Sequence, residues 1–246
     1  MPPERVEIKT EDGNCPTYLF RAPGSAPLPA VLFFMDGIGI RPALFQMAER
    51  MAAGGYHVLL PDLFYRAGPY EPMDAKTLFS DPEKRAVLMT RFMPVATLPL
   101  LMRDTRAFLD YLSGRGDVKQ SKVGATGYCL GGRVSFAAAA HFPDQIAAAA
   151  AFHPSRLVTD DPDSLHLLAP RIKARVLVAA ATEDANFSVE QQRRLDEALT
   201  AAGVQHTVEM WPARHGWVPG DTPAHDPQQA ERHWQTLLKF FQETLG

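Results

Sequence analysis

Cys129 stands at the centre of Gly127-Tyr128-Cys129-Leu130-Gly131-Gly132. A nucleophile in a Gly-x-Nuc-x-Gly pattern occupies the strained turn between a strand and a helix, where the flanking positions must be small. The helix N-terminus there carries partial positive charge and favours thiolate over thiol. Such a cysteine can attack an acyl carbonyl if an acid and a histidine base follow it in chain order. Two downstream segments supply them. Thr182-Glu183-Asp184-Ala185 offers Asp184, with Glu183 as the alternative acid, and Arg214-His215-Gly216-Trp217 offers His215. Asp184 would orient the imidazole of His215 and stabilise its cation; His215 would pair with Cys129 and later activate water. His153 follows an apolar run and is a further candidate to line the same cleft. His57, His166, His206, His225 and His233 read as surface or packing residues, and their spacing offers no convincing metal pair. The stretch Gly124-Ala125-Thr126-Gly127 is a poor dinucleotide-binding turn. It comes mid-chain, and the alanine run 147–151 lies where an acidic residue ~20 positions on is needed.

The elements that must position these residues alternate regularly. Residues 6–10 and 17–20 surround Glu11-Asp12-Gly13-Asn14 and predict an opening hairpin. Residues 30–35 and 56–60 read as short buried strands, separated by a helix over 42–53 that stops at Gly54-Gly55. The stretch 62–80 is rich in Pro and Gly and reads as a long loop of the kind that shapes binding sites. Asp81-Pro82-Glu83 opens a helix, and a second runs over 98–113. Strands over 122–126, 147–152, 176–180 and 207–210 then alternate with helices over 130–140, from Ser188 (with Gln191 completing a capping box), and from Asp226-Pro227 to about residue 245. This predicts an α/β fold with a mostly parallel central sheet and helices on both faces, in one unit over 1–246. Each chemical residue falls where ligand sites form in such sheets, beyond the carboxyl end of a strand.

The bulk properties exclude several classes. The net charge of −3 comes with scattered basic residues, which argues against a nucleic-acid or membrane-surface partner. Cys15 and Cys129 lie far apart and form no disulfide framework or zinc-type spacing. Met1-Pro2-Pro3-Glu4-Arg5 lacks the apolar core of a secretory signal, and no apolar run approaches the ~18 residues of a membrane span. A reducing, cytoplasmic location is therefore expected, where a free thiol nucleophile survives. The expected partner is a small molecule, and the expected state a monomer or small homo-oligomer.

Over nearly its whole length the chain resembles the dienelactone hydrolase family of the α/β-hydrolase superfamily. The resemblance rests on Pro29-Ala30-Val31-Leu32, the run from Gly55 to Leu63, the Gly-Tyr-Cys-x-Gly-Gly elbow, Glu183-Asp184 and His215-Gly216. It implies a cofactor-free, carboxymethylenebutenolidase-like hydrolase that opens lactones or cleaves esters through an acyl-cysteine. In that resemblance Cys129 is the nucleophile, Asp184 the acid and His215 the base, and the N–H groups of Gly37 and Leu130 form the oxyanion hole. Asp36 takes the place of an acidic residue that helps ionise the thiol, which is Glu, one methylene longer, in the best-known members. Members that cleave dienelactone hold the substrate carboxylate with arginines. Arg85 matches one of these, but Gly216-Trp217-Val218-Pro219 has no arginine where another stands. Dienelactone itself is thus not assured, and Trp217 is expected to give the pocket an apolar wall. Arg133, directly after the elbow, is expected to face solvent. The alternatives are a general carboxylesterase or thioesterase, and a non-catalytic binding or redox-sensing protein on the same fold.

Overall fold

A computed structural model describes residues 3–21, 24, 26–119 and 123–246. The chain opens with an antiparallel hairpin of β1 (Glu4–Thr10) and β2 (Gly13–Phe20). Next come β3 (Ala30–Phe34), α1 (Pro42–Ala53) and β4 (His57–Pro61), and every residue of both strands is buried. Continuous burial is the mark of a strand covered on both faces, as in parallel sheets. Later elements are α2 (Pro82–Val87), α3 (Leu98–Ser113), β5 (Val123–Tyr128), α4 (Leu130–His141), β6 (Ile146–Phe152), β7 (Arg175–Glu183), α5 (Val189–Ala201), β8 (His206–Arg214) and α6 (Pro227–Leu245). All eight strands join one sheet in the order β1-β2-β4-β3-β5-β6-β7-β8, antiparallel at the hairpin end and parallel from β4 onward.

Small side chains at the middle of the sheet let helices approach closely. β6 is five alanines between Ile146 and Phe152, and β5 carries Gly124 and Gly127. α4 packs on both strands from one side, and α6 lies over them too. A Cβ on Gly124 would come within 2.8 Å of Leu245 Cδ1, so α6 fills the space that this glycine leaves. α4 is buried on nearly all sides, which fits a helix apolar all round.

The expected helices over 42–53 and 98–113 form with those bounds. The Ser188 capping box is present: Gln191 N–H donates to Ser188 Oγ at 3.2 Å, and Ser188 N–H to Gln191 Oε1 at 2.7 Å. The strand expected over 122–126 begins at Val123 within the described residues; Lys122, like Met1 and Pro2 of the amino terminus, lies outside them. Several strands run further than periodicity predicts, three of them up to the site. β5 reaches Tyr128, β7 reaches Glu183 and β8 reaches Arg214, so each ends directly before a chemical residue. The helix opened by Asp81 is short. It passes into a π turn at Leu88–Phe92 and a 3-10 turn at Met93–Val95, where Pro94 lacks the N–H needed to continue. Among the described residues no single helix is long and apolar enough to cross a membrane.

Candidate active site

Cys129 follows β5 and caps α4 with φ 53°, a left-handed conformation that a non-glycine residue holds only when its surroundings enforce it. The enforcement is visible. Cys129 N–H donates to Phe152 O of β6 at 3.1 Å, and its carbonyl accepts from Arg133 and Ser155 N–H. The two elbow glycines make the turn possible. A Cβ on Gly127 would lie 2.2 Å from the carbonyl carbon of Gly131, and one on Gly131 would lie 2.1 Å from Phe34 O. The Gly-x-Cys-x-Gly pattern is thus a requirement of backbone crossing backbone. Tyr128 anchors the turn from beneath, its hydroxyl paired with His233 Nε2 at 2.8 Å in the buried core.

The loops after β7 and β8 bring an acid and a histidine together. His215 Nδ1 lies 2.6 Å from Asp184 Oδ2, and Asp184 has no exposed side-chain surface. The other oxygen of Asp184 accepts from the N–H and the side-chain amide of Asn186, at 2.8 and 2.9 Å. Burial opposes the charge on Asp184, but bonding to His215 and Asn186 outweighs it and holds the carboxyl below its usual range. With Nδ1 engaged by Asp184, the other ring nitrogen of His215 is left for Cys129. Burial disfavours a charge on His215 as well. Hydrogen bonding to Asp184 and to Cys129 more than compensates, and its pKa is raised to about 10. Glu183 is exposed and in register with Arg214 at the end of the sheet, so of the two acids it is Asp184 that pairs with His215.

Cys129 and His215 open onto a cavity of about 250 Å³ that is also lined by Asp36, Gly37, Ile38, Phe79, His153, Arg214, Gly216 and Thr222. Gly37 therefore stands at the site, on the loop after β3. Leu130 opens α4, where an N–H has no intrahelical acceptor. His153 is brought in too. It is 1% exposed, has φ 37°, and its ring centroid lies 4.8 Å from that of His215. Burial and the neighbouring His215 and His233 hold its pKa well below the usual histidine value, so it stays neutral. Neither of its ring nitrogens has a hydrogen-bond partner among the described residues.

Four sequence expectations need correction. Asp36 reaches the cavity wall, but both its oxygens are committed to Arg41, at 2.7 and 2.9 Å, and one also accepts from Ile38 N–H at 3.0 Å. Among the described residues the hydrogen bonds of its carboxylate go to Arg41 and Ile38, and none is made to the Cys129 thiol. Arg85 is exposed on α2 and does not line the cavity, because its helix faces outward. Trp217 is fully buried, packed between Trp211 and His153 with centroids 5.8 and 5.0 Å away; it backs His153 instead of walling the pocket. Arg133 is half-buried rather than solvent-facing, and burial and the nearby Arg156 lower its pKa. Cys15 is fully buried, and burial pushes its thiol up, which leaves it inert.

Sequence reasoning missed Arg41, Asp221, Phe79, Arg214 and Asn186. The motif Asp184-x-Asn186 carries a local signal, since an Asx turn needs only that spacing. Arg41 pairs with Asp221 across 180 residues, and no local pattern reports such a contact. Among the described residues no group of three metal-ligating side chains comes together.

The chain also matches known proteins over most of its length. Residues 15–245 match the model of the "Dienelactone hydrolase family". A "Putative carboxymethylenebutenolidase" of Methylorubrum extorquens is 28% identical over 97% of this chain and 80% of its own. Among solved structures, a "Putative Dienelactone Hydrolase" from Klebsiella pneumoniae superposes with a TM-score of 0.84 at 22% identity, covering 98% of both chains. A dienelactone hydrolase-like promiscuous phosphotriesterase from metagenomic libraries gives 0.76 at 23% identity, covering 100% of both. At those identities the structural likenesses speak for the fold.

Proposed function

The chain belongs to the dienelactone hydrolase family, and on that premise we propose that it hydrolyses a small lactone or carboxylic ester through an acyl-cysteine at Cys129. The observation that carries this reading is the 2.6 Å Asp184–His215 pair beside a cysteine held on a strained elbow. His215 takes the thiol proton, and the Cys129 sulfur attacks the carbonyl carbon. The carbonyl π electrons move to oxygen, which accepts hydrogen bonds from the N–H groups of Gly37 and Leu130. Collapse of this tetrahedral species breaks the acyl C–O bond, and the departing alkoxide takes its proton from His215. In a lactone the alcohol stays attached to the acyl chain. His215 then removes a proton from water, the hydroxide attacks the thioester, and the carboxylic acid leaves as the thiolate is restored. Thioesters fit the same machinery.

Specificity rests on the cavity lining. No arginine follows His215 closely, and Arg85 is remote, so carboxylate recognition of the kind inferred for dienelactone-cleaving members has no counterpart at those two positions. Phe79 and Ile38 add apolar surface to the lining, and Arg214 adds a cation. The test is to compare wild type with Cys129→Ala on cis- and trans-dienelactone and on p-nitrophenyl acetate. The reading expects wild type to cleave at least the simple ester and the variant to cleave none; undiminished turnover in the variant would sink it.

A further inference from the structure

Behind the cavity wall, Arg41 is paired with Asp36. Its side chain is 2% exposed, and it sits directly before α1, where Pro42 fixes the start of the helix. All five of its N–H donors are used. Nη1 donates to Asp36 Oδ1 at 2.7 Å and to Gly39 O at 3.1 Å. Nη2 donates to Asp36 Oδ2 at 2.9 Å and to Asp221 Oδ1 at 3.2 Å, and Nε donates to Asp221 Oδ2 at 2.7 Å. A guanidinium is planar and forked, so two carboxylates bound along its edges are fixed relative to each other.

Those two carboxylates belong to the two loops that must be held in register for catalysis. Asp36 lies on the loop after β3, next to Gly37, and each loop is stiff in itself. Ile38 N–H and Gly39 N–H both bond back to Asp36. Asp221 lies on the loop after β8, which carries His215 and Gly216, and Thr222 Oγ donates to Gly216 O at 2.7 Å. Arg41 is the link between these bodies, on strands that β5, β6 and β7 separate in the sheet. It also cancels a charge. Asp36 is 3% exposed and lines the same cavity as Cys129. Left unpaired, its carboxylate would oppose both the thiolate and the oxyanion that forms beside Gly37.

The geometry points to Arg41 as a positioning residue that joins the oxyanion loop to the base loop and neutralises Asp36 in the cavity wall. This rests on the cysteine-hydrolase reading above and goes beyond it. Arg41 touches no reacting atom, so its removal acts on kcat while the cavity that binds substrate persists.

The experiment measures kcat, KM and pH profiles with p-nitrophenyl acetate for wild type, Arg41→Met, Asp221→Asn and the double variant Arg41→Met/Asp36→Asn. Cys129→Ala is run alongside, and folding is checked by circular dichroism. Arg41→Met is expected to lose about 100-fold in kcat, the scale of a small misplacement of reacting groups, with KM changed less than about threefold. Removing the stranded carboxylate in the double variant is expected to restore at least about tenfold of that loss. If Arg41→Met does not fold, Asp221→Asn carries the test; it removes one pair at a carboxylate that is 34% exposed and is expected to lower kcat about tenfold. A folded Arg41→Met within twofold of wild type overturns the proposal, as does a double variant no better than the single one. If Arg41→Met is unfolded, an Asp221→Asn kcat within twofold of wild type overturns it. If instead Cys129→Ala turns over like wild type, the cysteine reading itself fails, and the two failures are told apart.

Discussion

At the scale of single residues, the proton on His215 links structure to rate. Its folded pKa of about 10 stands above the free value of 6.5, because Asp184 and Cys129 favour the cation more than burial disfavours it. The sign for stability follows. A raised basic pKa contributes stability that is fully present below 6.5 and is lost as pH rises through about 10. The Tm difference between wild type and His215→Gln should therefore shrink as pH passes from 7 to above 10, and a difference that grows over that range would contradict the pairing. Asp184 has the opposite sign. Its lowered pKa contributes above 3.8 and is lost as the solution is acidified through the folded value. Replacing His215 by Ala should cost at least about 100-fold in rate, as loss of a positioned general base does. A loss below tenfold would shift the base role to His153, whose unpartnered nitrogens lie beside His215.

At the scale of elements, catalysis depends on a strand and a helix crossing at backbone contact. Gly131 lies against Phe34 O and Met35 O at the end of β3, so the elbow of β5–α4 and the oxyanion loop after β3 are packed as one piece. A methyl group at Gly131 has nowhere to go, since its neighbours are main chain. Gly131→Ala is expected to cost about 1–3 kcal/mol, the range for overpacking, and to depress activity by separating Leu130 from Gly37. In a chain of this length that corresponds to a Tm lower by roughly 2–4 °C per kcal/mol, readable by calorimetry. An unchanged Tm with full activity would show that the elbow can relax. These elements were also the most legible in the sequence. α1 and α3 follow from apolar spacing and stop signals within one segment, the Ser188 box from a four-residue pattern, and Cys129 from two glycines whose spacing is a local steric demand. The break of the helix after Val87 into π and 3-10 turns was less legible, because it is settled by packing of Leu88 and Phe92 onto the core as well as by Pro94.

At the scale of the whole molecule, the sheet gathers residues that the chain keeps far apart. Asp36, Cys129, His153, Asp184 and His215 follow β3, β5, β6, β7 and β8, and all fall on the carboxyl edge. Their convergence was readable because strand-end position is a topological property that alternation of strands and helices already implies. What each side chain does there was not readable. Asp36 reads as a group for the thiol until Arg41 and Asp221 are placed around it, and Trp217 reads as a pocket wall until His153 is found in front of it. Arg85 reads as a substrate contact until its helix is seen facing outward. In each case the deciding neighbour comes from another element, up to 180 residues away. Passage of the acyl group through Cys129 can be read by mass spectrometry of protein quenched in acid during a single turnover of p-nitrophenyl acetate. One acetyl group is expected on the peptide that contains Cys129, and none in Cys129→Ala. Turnover by the wild type with no acylated protein, or an acyl group on any other residue, would contradict it.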